Sequence, residues 1–69
     1  MNYKSYLGAK NTVASYIESI ELIKERTEKN YLEMDLKNTK LNNEMEELLE
    51  DIKSRCNKVI RELESYSFE

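Results

Sequence analysis

From Leu41 to Tyr66 the apolar residues recur at steps of three and four: Leu41, Met45, Leu48, Leu49, Ile52, Cys56, Val59, Ile60, Leu63 and Tyr66. At helical spacing they occupy roughly a third of the circumference. Glu, Asp, Lys, Arg, Ser and Asn fill the rest. The pattern predicts an amphipathic helix over 43–66. Such a helix needs an apolar partner, because isolated helices are marginal in water. The same period runs from Asn11 to Lys37, through Val13, Ala14, Tyr16, Ile17, Ile20 and Ile23, then Thr27, Tyr31, Leu32 and Met34. It predicts a first helix over 11–37, whose seam Lys24 and Thr27 interrupt.

Two architectures compete at the joint. The seam counts through from Val13 to Ile52 without a phase slip, by way of Lys24, Thr27, Tyr31, Met34, Asn38 and Leu41. One continuous rod on that count would be roughly 90 Å long. The local chemistry favours a turn over 38–43 instead. Asn38 suits a helix end, and Lys37 and Lys40 complement a C-terminal dipole. Asn43 with Glu46 three residues on forms a capping box for the second helix. A turn there also matches apolar layers. Met34 meets Glu47 and Leu48, Tyr31 and Leu32 meet Leu49 and Ile52, and Ile23 meets Cys56. Ile20 meets Val59 and Ile60, Ile17 meets Leu63, and Val13 meets Tyr66.

The expected fold is therefore all-α, a coiled-coil-like antiparallel helical hairpin in one domain over 1–69. Residues 1–10 form an N-terminal arm, with Gly8 marking a kink or a helix start. The apolar arc around Val13–Ile23 approaches half the circumference, more than one helix covers. Two hairpins are therefore expected to pair into a dimeric four-helix bundle through Val13, Tyr16, Ile17, Ile20 and Ile23.

Composition narrows the chemistry. With 69 residues the chain buries little core and must lean on regular helix packing or self-association. Charged residues make up 36% and hydrophobic ones 39%, with no Pro and one Gly, a composition of long helices. One Cys and no His argue against an internal disulfide and a zinc site. No apolar run approaches the ~20 residues of a membrane span. No signal peptide is visible, so a cytoplasmic location with Cys56 reduced is expected. Cys56 falls on the apolar face and reads as a small buried hydrophobe, an intersubunit disulfide being the alternative.

Catalysis finds little support. There is no His for acid–base work, no Gly-rich phosphate loop and no GxSxG. No cofactor and no metal are expected. The run Glu44, Glu46, Glu47, Glu50, Asp51 reads as an acid-rich helix N-terminus. Charge is uneven, however. Residues 1–40 hold seven Lys/Arg against six Asp/Glu, and residues 41–69 hold four against eight. No basic stripe exists, so direct nucleic-acid binding is disfavoured.

Two surfaces qualify for a protein partner. One is the acidic face of the second helix, Glu46, Glu47, Glu50 and Asp51, which would steer a basic partner. The other is a tyrosine patch, Tyr3, Tyr6 and Tyr16, able to supply aromatic anchors. In size and composition the chain is similar to small phage proteins, including anti-CRISPR inhibitors, although no motif carries that likeness. Gram-positive regulatory phosphatases of this size have a Ser-x-x-Leu-Asp motif, which is absent here. The expected function is a non-enzymatic module that binds and inhibits a larger cytoplasmic protein, encoded by a phage or mobile element. The rival expectations are a purely structural self-associating coiled coil and a small nucleic-acid-binding regulator.

Overall fold

The computed structural model describes residues 2–3, 7–34 and 37–68. Helix α1 spans Leu7–Glu33 and helix α2 spans Thr39–Glu64, and the two pack against each other as a hairpin. Strand β1 (Asn2–Tyr3) pairs in parallel with β2 (Ser67–Phe68), which closes the open end. The molecule measures 54 × 17 × 9 Å, so a rod of roughly 90 Å is ruled out.

Both ends of α1 lie closer to the N-terminus than the pattern suggested. The helix begins at Leu7, so residues 7–10 of the expected arm are helical. Gly8 sits in the first turn, where its carbonyl accepts the Thr12 hydroxyl at 2.9 Å. It interrupts no seam there, and the first turn absorbs its poor propensity. The helix ends at Glu33, with the Met34 N–H donating to the Tyr31 carbonyl at 3.1 Å.

The second helix also starts earlier than expected. Asn38, not Asn43, is its N-cap. Its extended backbone (φ −88°, ψ 109°) lets the side chain accept the Leu41 N–H at 3.0 Å. Its carbonyl takes the Asn42 N–H at 2.9 Å. Asn38 is the earlier capping residue, and nothing between Thr39 and Asn43 breaks a helix, so the first cap wins. Glu46 therefore lies in the helix interior and not at the N3 position. Asn38→Ala is expected to cost about 1 kcal/mol, while Asn43→Ala should be neutral or slightly stabilising. Urea melts followed by circular dichroism compare them, and equal losses would contradict this cap assignment. At the other end α2 stops at Glu64, and Ser65 donates its hydroxyl to the Glu62 carbonyl at 2.6 Å.

The half-buried positions trace the seam. On α1 they are Val13, Ile17, Ile20, Lys24, Thr27 and Tyr31. On α2 they are Asn42, Met45, Lys53, Cys56 and Leu63, joined by the buried Leu49 (6% exposed) and Ile60 (7%). The Lys24 ammonium donates to Asn57 Oδ1, and Glu28 lies 3.8 Å from Lys53. That antiparallel register agrees with the expected layers at Met34, Tyr31, Leu48, Leu49 and Ile52, which line one shared depression. The expected Ile23–Cys56 layer does not form, and Leu32 drops out of the layer it was to share with Tyr31. Ile23 is 51% exposed and Leu32 is 72% exposed. Lys24 takes the place assigned to Ile23, because it continues the three-and-four spacing and Ile23 lies about 100° away. The Lys24 stem packs while Asn57 and Glu21 satisfy its ammonium.

Candidate interaction surfaces

A layer one helix thick leaves both its faces open. The two faces differ in chemistry, and cross-helix contacts tell them apart. On one side the Glu28–Lys53 pair crosses the seam, and Lys24 reaches Asn57 on that same side of α2. On the other side Thr27, Asn30, Tyr31 and Met34 of α1 meet Met45, Leu48, Leu49 and Ile52 of α2 around an open depression of ≈ 230 Å³. Asn30, Leu48 and Ile52 therefore share one face.

Seven-residue steps carry that face along the hairpin. Ile23 and Tyr16 lie one and two heptads before Asn30. Leu41 lies one heptad before Leu48, and Val59 one after Ile52. All six of these apolar side chains are exposed. The register set by Lys24 and Asn57 puts Ile23 level with Val59. The result is a continuous apolar strip, Tyr16, Ile23, Leu41, Leu48, Ile52 and Val59, that none of the described residues covers. The sequence pattern had merged the α2 part of this strip with the seam. Leu41–Leu48 and Ile52–Val59 form heptad series beside Leu49, Cys56 and Leu63, and that doubling was the readable signal.

The acidic candidates are only partly brought together. Glu46, Glu47 and Glu50 line a shallow groove with Asn43. Their sector of α2 contains Lys53, so it faces away from the apolar strip. Glu46 Oε2 also lies 3.5 Å from the Tyr31 hydroxyl, which ties it to the hairpin turn. Glu50 is 3.7 Å from Lys53. Asp51 points elsewhere and accepts Arg55 Nε at 3.1 Å, so it stands apart from the three glutamates.

The tyrosine candidates do not form a described patch. Tyr16 is exposed on α1, at the edge of the apolar strip. The Tyr3 backbone lies in β1, and Tyr6 lies outside the described residues. Among the residues expected to meet a second copy, Val13, Ile17 and Ile20 are half-buried on the seam, while Tyr16 and Ile23 stay open. Cys56 is a free thiol, half-buried among the seam residues.

Among the described residues no group of His, Cys, Asp and Glu is arranged to hold a metal ion. No described helix is long and apolar enough to cross a membrane. Comparison with protein-family models, curated proteins and solved structures finds no match.

Proposed function

We propose that this chain is a non-enzymatic protein-binding module that works as a pair of hairpins in a four-helix bundle. In this reading it binds and inhibits a larger cytoplasmic protein, in the manner of inhibitors carried by phages and mobile elements. One observation carries it: the chain exposes far more surface than a folded protein of its mass retains. Its accessible area is 5660 Å² for 8.2 kDa. A compact monomer of that mass exposes about 4,500 Å², an excess here of roughly 1,100 Å². Part of that surface is the apolar strip, and an exposed contiguous apolar patch marks a protein contact site.

The outward glutamates Glu47 and Glu50 then select a basic partner, since steering by charge raises association rates and weakens with salt. A purely structural module is the second reading. It is favoured by the same apolar strip, because self-pairing alone would consume it. Affinity capture from a bacterial lysate, run with the wild type beside Glu47→Lys/Glu50→Lys, separates the two. The inhibitor reading expects a captured protein that the variant binds less, with the larger difference at low salt. Helicity and self-pairing should be unchanged, as exposed substitutions usually stay within about 0.5 kcal/mol. A wild type that captures only itself would leave the structural reading. A salt-dependent shift of DNA by the wild type would instead support a nucleic-acid regulator.

A further inference from the structure

We infer that the apolar strip Tyr16, Ile23, Leu48, Ile52 and Val59 is covered by a second copy of this chain, strip against strip. The inference rests on the paired-hairpin reading above and names the face that pairs. It moves the interface off the α1 seam residues Val13, Ile17 and Ile20, which are already half-buried in one chain.

Three observations favour a second copy as the occupant. The first is area. The excess of roughly 1,100 Å² over a compact monomer exceeds the ~800 Å² that each partner buries in a stable interface of ordinary size. The second is layering. The Cα trace is 9 Å thick in its smallest dimension, a single layer of helices. Domains are built from two or more packed layers, and a second hairpin on this face supplies the missing one as a four-helix bundle. The third is charge. Arg55 and Glu62 follow Leu48 at heptad steps, so the charges they bring to the strip cancel. Arg55 is moreover held by Asp51. The glutamate groove lies on the other side of α2, away from the pairing plane. The strip thus offers its own copy a mainly apolar surface with one charge of each sign from α2, the kind of self-complementary patch that a two-fold interface uses.

Sedimentation equilibrium of the whole chain tests this, with Ile52→Glu as the variant and Leu22→Glu as the control. Leu22 is exposed on α1 and lies outside the strip. The wild type and Leu22→Glu are expected at twice 8.2 kDa. Ile52→Glu is expected to lose the dimer at concentrations where the wild type is fully paired. A photo-crosslinker at position 48 should join two copies, and one at position 22 should not. This second measurement decides the matter if Ile52→Glu fails to fold. Dimeric Ile52→Glu, or crosslinking from position 22 and not from 48, would overturn the assigned face while leaving a paired hairpin intact. A wild type that stays at 8.2 kDa at every concentration would overturn the pairing itself and leave the strip to a different protein.

Discussion

Leu49→Ala is expected to unfold most of the protein, and its neighbour Leu48→Ala is not. Leu49 and Ile60 are the only buried hydrophobic residues among the described residues. Truncating a buried Leu costs about 2–5 kcal/mol, the lost transfer energy plus the cavity left behind. A single core in a chain this short rarely supplies more than about 3–5 kcal/mol in total. The loss therefore competes with the whole stability of the hairpin. Leu48 lies about 100° round the helix and is 53% exposed. Its truncation should cost roughly 1 kcal/mol or less in a single hairpin, and more once a second copy covers it. Urea melts at two protein concentrations read both effects. Leu49→Ala should melt far earlier at both, while the Leu48→Ala deficit should grow with concentration. Equal small losses would mean that Leu49 is not the centre of the core.

The hairpin was legible because its signals were local and redundant. Helix-breaking chemistry clustered near Asn38, and apolar layers matched across the turn. Asn38 nevertheless starts α2 and does not end α1, which stops at Glu33, and Lys40 lies in the first turn of α2 and not at a helix C-terminus. The boundaries were not legible, because Asn38 and Asn43 both satisfy the capping rules and only competition decides between them. The sidedness of α2 was the costlier omission. Leu48 and Leu49 both count as apolar in a period of three and four, yet one is buried and the other open. Separating them requires knowing where α1 sits, and that depends on Lys24 replacing Ile23 in the seam. The three-and-four count through Ile20, Lys24 and Thr27 already put Lys24 on the seam, but the layer match chose Ile23 because it is apolar. The acidic surface was read as one patch from its composition. Asp51 leaves it because it is one residue past Glu50 and finds Arg55 one turn on. Tyr3 and Tyr6 were linked to Tyr16 only through the expected meeting of the termini. The β1–β2 pairing does join the chain ends, but Tyr16 lies more than two turns up α1.

Lys24→Leu is expected to stabilise the hairpin by about 1–2 kcal/mol, the net of two opposed terms. The Lys24 side chain is 23% exposed, with its stem in the seam and its ammonium 3.6 Å from Glu21. Replacing it removes a charge-assisted hydrogen bond to Asn57 and a partly exposed ion pair. An exposed pair contributes roughly 0–1 kcal/mol, and Asn57 lies exposed, so water satisfies the amide it leaves. Against this, a buried Leu gains about 1.5–3 kcal/mol. It would also carry the apolar stripe of Val13, Ile17 and Ile20 one step further along α1. The melting temperature should rise by about 4–8 °C for each kcal/mol gained. Specificity should fall at the same time. A polar residue on a helical seam fixes register and assembly state at some cost in stability. Without the Lys24–Asn57 contact, the partly exposed Glu28–Lys53 pair is the remaining electrostatic link between the helices near the middle of the hairpin among the described residues. A broader distribution of assemblies in sedimentation velocity, together with the higher melting temperature, is the expected result. A lower melting temperature would show that the Lys24–Asn57 contact outweighs a buried leucine, and Lys24 would then count as a stabilising residue in its own right.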